Sequence, residues 1–294
     1  MSFHFEIEKN QKVSYSALLQ SLNRDDIKIG NVDSLDLEED ISGYKHFHIP
    51  NKSTRGIGVA LEDEVFDISI NVLASKDDYI LACQLAESIA AITDSKIEPE
   101  DEEDALTITD FKTKFNESWA EAYKTQGLSA TKFLIQKDNS VITIGGCLRP
   151  YFIGPDLLEI FSQNASSDSE IYDKIIDSIR AVQFIDESEI RVPNRFEITE
   201  EDESKWRYVV IAPGEKQLLP QIEYVILMVN KTEYVKVPFD LLEKYAKSNF
   251  TRLDESQYIF PKMAADEFRQ IMERFGYQRD TNKGSRKKWW EFWN

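Results

Sequence analysis

Three histidines, His4, His46 and His48, have the side-chain type and number to hold a catalytic metal ion. His46 and His48 are two apart, so on a strand they share a face, while His4 falls in another short strand. If those strands were neighbours, all three imidazoles could approach one ion in a three-histidine arrangement. Spacing fixes no carboxylate beside them. A half-exposed polar strand face is therefore the default reading, and no metal or cofactor is expected.

A second candidate is Ile144-Gly145-Gly146 through Arg149 to Gly154-Pro155. Here a strand runs into glycines, an arginine follows, and a helix opens at proline. A helix N-terminus attracts anions, and Arg149 would add charge. The spacing matches neither G-x-G-x-x-G nor the P-loop, and Pro155 removes one amide donor. Cys147 lies in this segment without a sequence-near histidine, so an inert thiol is expected. Cys83, the other cysteine, reads as a small core residue, and neither belongs to a CxxC or a disulfide framework.

In Glu98 to Asp104, EPEDEED, six of seven residues are acidic. Calcium takes oxygen ligands, but the spacing of an EF-hand loop is missing, so a self-repelling, solvated connector is expected. The C-terminal run GSRKKWWEFWN, 284–294, breaks with the rest of the chain. It places Arg286, Lys287 and Lys288 beside Trp289, Trp290, Phe292 and Trp293, and holds three of the five tryptophans. Tryptophan anchors protein contacts, so these four aromatic residues are the expected partner-binding set, within or between chains. Contact with a membrane surface is the lesser reading, because the segment is too short to anchor alone.

These residues need elements to place them. Ile57, Val59 and Leu61 alternate with small residues, and Phe66, Ile68 and Ile70 alternate with polar ones. The two runs flank an acidic turn and predict an antiparallel hairpin. Ser75 three residues before Asp78 resembles a capping box, and Leu81, Leu85, Ile89 and Ile92 form a helix stripe with Ala82, Ala86 and Ala90 beside it. Hairpin and helix can cover each other in a two-layer core. The run GIGVALEDEVFDISINVLASKDDYILACQLAESIAAIT resembles segments of uncharacterised bacterial proteins of unknown function. That resemblance implies a bacterial cytosolic origin and carries no activity and no site residues.

Elsewhere the pattern predicts strands at Phe3–Ile7 and Tyr44–Ile49 and a helix near Val13–Leu22. A helix over 110–125 ends at Gly127, and a hairpin of Lys132–Gln136 and Ser140–Ile144 turns at Asp138-Asn139. Helices follow from Pro155 and over 169–182. The acidic stretch 186–204 suggests a boundary. Beyond it come a strand at Trp206–Ile211, a strand at Ile222–Val229 buried on both faces, a returning strand to Val237, a helix from Pro238, a strand at Gln257–Phe260 and a helix over Ala264–Phe275. Hairpin followed by helix occurs twice, at 56–93 and 222–247. The expectation is an α+β protein with antiparallel sheets, divided into 1–185, 186–280 and a tail, 281–294.

The chain has 294 residues, 41% hydrophobic, and a net charge of −18. That composition affords a full core, and the charge repels phosphate backbones, so nucleic-acid binding is disfavoured. The N-terminus lacks the apolar run of a signal peptide, and nothing approaches 18 consecutive apolar residues. The leading expectation is a non-enzymatic cytosolic interaction protein, either self-associating or binding a protein partner. One form is immunity- or antitoxin-like, with an acidic surface that masks a basic partner. The alternative is a hydrolase or transferase assembled from distant residues, signalled by a deep pocket holding Arg55 or Arg149 beside a carboxylate.

Overall fold

The computed structural model describes residues 2–30, 36–163, 165–199 and 205–277, so the tail with Trp289, Trp290, Phe292 and Trp293 lies outside the described residues. The chain divides into two compact units, Met1–Phe184 and Ile185–Asn294. Its class is α+β, as its sequence pattern predicts.

The first unit begins with β1 (Ser2–Glu8), α1 (Tyr15–Leu22), β2 (Lys28–Gly30), β3 (Gly43–His48), β4 (Ile57–Glu62), β5 (Val65–Asn71), α2 (Lys76–Thr93) and β6 (Glu98–Pro99). Its strands form one antiparallel sheet in the order β2-β3-β4-β5-β1-β6. Register follows the alternation of side chains: Phe5 and Val59 both pair with Ile68, and Phe3 and Ile57 both pair with Ile70. These apolar residues line the inner face and are buried. α2 lies against them, and its Leu81, Leu85 and Ile89 are fully buried. Truncating Leu85 to alanine therefore removes about 2–5 kcal/mol of stability. Ser75 Oγ accepts from the Asp78 amide at 3.1 Å, and Asp78 accepts from the Ser75 amide at 2.9 Å, so aspartate completes the capping box.

The unit continues with α3 (Ile108–Lys114), α4 (Glu117–Asp138), β7 (Ile142–Gly145), β8 (Pro150–Ile153), α5 (Pro155–Gln163) and α6 (Asp168–Gln183). The aromatic stripe Phe111, Phe115 and Trp119 packs on Phe3 and Phe5 with ring centroids 5.0–6.0 Å apart. It spans two helices rather than one. Asn116 Oδ1 accepts from the amides of Ser118 and Trp119 and starts a new helix there. α4 then runs through Gly127 and through Lys132–Gln136, which the alternation predicts as a strand. Leu128, Thr131 and Ile135 recur at helical spacing and are buried, which decides the matter for the helix. A Cβ added at Gly127 would sit 3.4 Å from Val72, so glycine permits close packing there instead of ending the helix. Asn139, φ 46°, is the left-handed cap of α4 and not a hairpin turn. β7 pairs with β8, a strand that opens on Pro150 and carries no clear alternation.

The second unit contains β9 (Ile190–Arg191), β10 (Arg195–Thr199), β11 (Lys205–Ile211), β12 (Lys216–Leu219), β13 (Tyr224–Asn230), β14 (Glu233–Pro238), α7 (Phe239–Asn249), β15 (Thr251–Arg252), β16 (Tyr258–Phe260) and α8 (Ala265–Arg274). One sheet has the order β10-β11-β13-β14 and the other β15-β16-β12-β9. The acidic stretch 186–204 thus contributes two strands. The pairs β11–β13 and β12–β9 are parallel, because β12 leaves one sheet for the other and the chain returns as β13. β13 is not buried on both faces: Val225 and Leu227 are fully buried, while Tyr224, Ile226 and Met228 are half-buried. α7 and α8 cover the Val225 side. Among the described residues no helix is long and apolar enough to cross a membrane.

Candidate functional site

Strand order separates the histidines. His4, His46 and His48 project from one face of the six-stranded sheet, but β4 and β5 lie between β1 and β3. Three inter-strand steps amount to about 14 Å, too far for one ion. His4 Nδ1 is 2.7 Å from Asp67 Oδ1, and His4 Nε2 is 2.6 Å from Ser2 Oγ. His46 donates Nε2–H to the Arg55 carbonyl at 2.6 Å, and its ring centre is 6.2 Å from that of His48. Burial lowers the pKa of both His46 and His48. Among the described residues no group of three or more metal-ligating side chains is placed so that it could hold one metal ion.

Next to His46 stands a polar cluster whose arrangement the sequence does not announce. Asp78 is fully buried at the N-terminus of α2. Its Oδ2 accepts from the backbone amides of Thr54 at 2.9 Å, Arg55 at 3.2 Å and Ser75 at 2.9 Å. Thr54 Oγ1 donates to the Leu73 carbonyl at 2.8 Å. One carboxylate oxygen therefore ties the β3–β4 connection to the start of α2. Arg55 does lie beside this carboxylate, yet its Nη1 donates to the Val72 carbonyl at 2.9 Å. Arg55 Nε and Asp78 Oδ1 are buried without a hydrogen-bond partner. Burial lowers the Arg55 pKa, and the Asp78 charge pulls it back up. The geometry secures backbone rather than presenting groups to a substrate.

The glycine-arginine turn is likewise occupied from within. Gln183, at the end of α6, is fully buried. Its Oε1 accepts from the amides of Leu148 and Arg149, both at 2.8 Å, and its Nε2 donates to the Arg149 carbonyl at 2.9 Å. Arg149 Nη1 donates to the Gln183 carbonyl at 2.6 Å. The amides that would cradle an anion thus hold a side-chain amide from 34 residues away. A Cβ at Gly146 would fall 2.2 Å from Gln183 Nε2, which explains the glycine. Cys147 Sγ is 3.9 Å from the Ser53 carbonyl and from Gln183 Oε1. Burial, helped by the Asp78 charge, pushes this thiol up to about 12. The Cys83 thiol is pushed up to about 12 by burial as well.

The acidic run 98–104 is more ordered than a solvated connector. Glu98 and Pro99 form the edge strand β6, with Glu98 directly opposite Glu6 and Pro99 opposite Phe5. The amides and carbonyls of Ile97 and Leu106 bond to each other at 3.0 and 2.7 Å and close the base of the loop. The Glu100 amide donates to the His4 carbonyl at 3.1 Å. Between loop and strand opens a cleft of about 340 Å³, lined by Glu6, Glu98, Glu100, Glu102, Glu103 and Asp104, with His4 the basic side chain present. Lys114, from α3, forms an ion pair with Glu102. Carboxylates directly opposite on paired strands repel, so the cleft favours a cation.

Over residues 2–187 the chain matches the family model described as a domain of unknown function, DUF4299. The chain belongs to this family. No curated protein and no solved structure matches it. The DUF4299 match takes in the sheet, the Asp78 cluster, the Gln183-filled turn and the acidic cleft. The sheets of the second unit lie beyond it. Of the residues the sequence singles out, the DUF4299 unit brings His46 and Arg55 together and keeps His4 apart from them. Asp78 is visible beforehand as a cap, but its grip on Thr54 and Arg55 has no sequence signature, and neither has the role of Gln183.

Proposed function

We propose that this chain is a non-enzymatic binding protein of the bacterial cytosol whose acidic surface takes a basic protein partner, as an immunity or antitoxin protein masks a basic toxin. The observation that carries the reading is the cleft of about 340 Å³ over β1 and β6, whose lining includes six acidic residues. Low-dielectric walls of one sign focus the field and raise the local concentration of oppositely charged groups. A lysine or arginine entering between Glu6 and Glu98 relieves their mutual repulsion, which the free protein cannot do. A cytosolic setting accords with two free cysteines, Cys83 and Cys147. The hydrolase or transferase alternative would draw on Arg55 or Arg149, and it gains nothing from an Arg55 that holds Val72 or an Arg149 that holds Gln183.

The test is co-purification from an extract of the native host with identification by mass spectrometry. The expected result is a basic protein that elutes at about 0.5 M salt, where screening is nearly complete over a few ångströms. The triple variant Glu6→Gln/Glu98→Gln/Glu100→Gln should lose it. A partner retained undiminished by that variant, or a partner with no basic face, refutes the reading.

A further inference from the structure

The sheet β10-β11-β13-β14 has one face covered by α7 and α8 and another that carries aromatic and apolar side chains. Register places Phe196, Trp206, Tyr208, Tyr224, Ile226 and Met228 on the second face. Phe196 stacks on Tyr208 with centroids 5.3 Å apart, and Trp206 meets Tyr208 and Tyr224 at 5.2 Å each. Phe196 is 44% exposed. Residues of this face are absent from the core formed with α7 and α8. Tyr208 is buried and Trp206, Tyr224, Ile226 and Met228 are half-buried, so the face combines packed aromatic rings with an exposed Phe196, and clustered apolar groups of this sort mark contact surfaces.

We propose that the C-terminal segment, residues 278–294, docks its tryptophans on this aromatic face. Three observations choose that occupant. The last described residue is Tyr277, and the 17 residues beyond it reach about 56 Å when extended, far more than the ~10 Å thickness of a packed layer. α8 passes an edge of the sheet eight residues before Tyr277, since Arg269 pairs with Glu233 at the start of edge strand β14 at 2.8 Å. Charge agrees as well: the segment holds five basic and two acidic residues, a net of +3, while residues 185–277 hold 13 basic and 18 acidic, a net of −5. Lys236 Nζ sits 3.5 Å over the Trp206 ring and 3.9 Å over the Tyr224 ring, and makes no ion pair with a described carboxylate. Glu291, the one acid among Trp289, Trp290, Phe292 and Trp293, matches it.

The experiment uses the purified full-length chain with no partner present, so its outcome is independent of the cleft. A photo-crosslinking benzoylphenylalanine replaces Phe196, or in a second variant Tyr234, which is 36% exposed. After irradiation the products are sized and mapped by mass spectrometry. The expected product has monomer mass and joins position 196 or 234 to a peptide within 278–294. Its yield should fall about tenfold or more in Trp289→Ala/Trp290→Ala/Trp293→Ala, as for loss of anchoring residues. Crosslinks of dimer mass, crosslinks confined to residues before 278, or a yield untouched by the triple variant would each overturn the proposal. Near-UV circular dichroism matching the parent chain confirms that each variant is folded.

Discussion

Replacing Asp78 with alanine tests the central polar contact of the first unit. The carboxylate is fully buried and its Oδ2 receives the amides of Thr54, Arg55 and Ser75. A buried donor left without an acceptor costs about 1–3 kcal/mol, and loss of a helix cap costs about 1 kcal/mol. Three amides include the capping contact to Ser75, so the expected loss is about 4–6 kcal/mol, allowing for partial repair by water. The guanidinium of Arg55 loses the influence of the Asp78 charge in the same step. Asp78→Asn keeps an acceptor oxygen and should lose roughly half as much. Ser75→Ala removes only the reciprocal cap at 3.1 Å and should cost about 1 kcal/mol. Urea unfolding followed by far-UV circular dichroism reads all three. A total stability of about 5–15 kcal/mol leaves Asp78→Ala measurable or largely unfolded. If Asp78→Ala costs no more than Ser75→Ala, the carboxylate is not what joins the β3–β4 connection to α2, and the reasoning fails.

Burial holds the folded-state pKa of His46 and His48 below 6.5, so the unfolded chain binds their protons first. Their contribution is complete above about pH 7 and is lost as pH falls through 6.5 toward the folded values; His46→Gln/His48→Gln should flatten the unfolding free energy between about pH 7 and 5. Cys83 and Cys147, both pushed to about 12, should resist a disulfide-exchange thiol reagent at about pH 8 and react promptly in denaturant. A Cys147 titrated rapidly in the native chain would contradict its burial. Gly146→Ala places a Cβ 2.2 Å from Gln183 Nε2 and must displace that side chain, with an expected loss of about 1–3 kcal/mol by thermal melting. Combining it with Gln183→Ala should then cost less than the sum of the two single changes, because both disturb one contact.

The parts of the fold that were legible are those where burial is periodic along the chain. β4, β5 and α2 alternate or repeat cleanly, and each buried position can be read without knowing its partner. Lys132–Gln136 shows the limit, since five residues fit both periods and only the buried set Leu128, Thr131 and Ile135 chooses the helix. The polar contacts were illegible for a different reason. A carboxylate that holds amides 23 and 24 residues away, and a glutamine that fills a turn 34 residues away, obey no period at all. The histidines make the same point from the other side: spacing shows that His46 and His48 share a face, but β1 inserts beside β5, three strands from β3. That insertion also brings β6 to the sheet edge and sets Glu98 against Glu6. The strand order that dismantles the three-histidine site therefore builds the acidic cleft. Whatever the DUF4299 unit binds, its chemistry is set by which strand lies next to which, and the apolar alternation alone leaves that choice open.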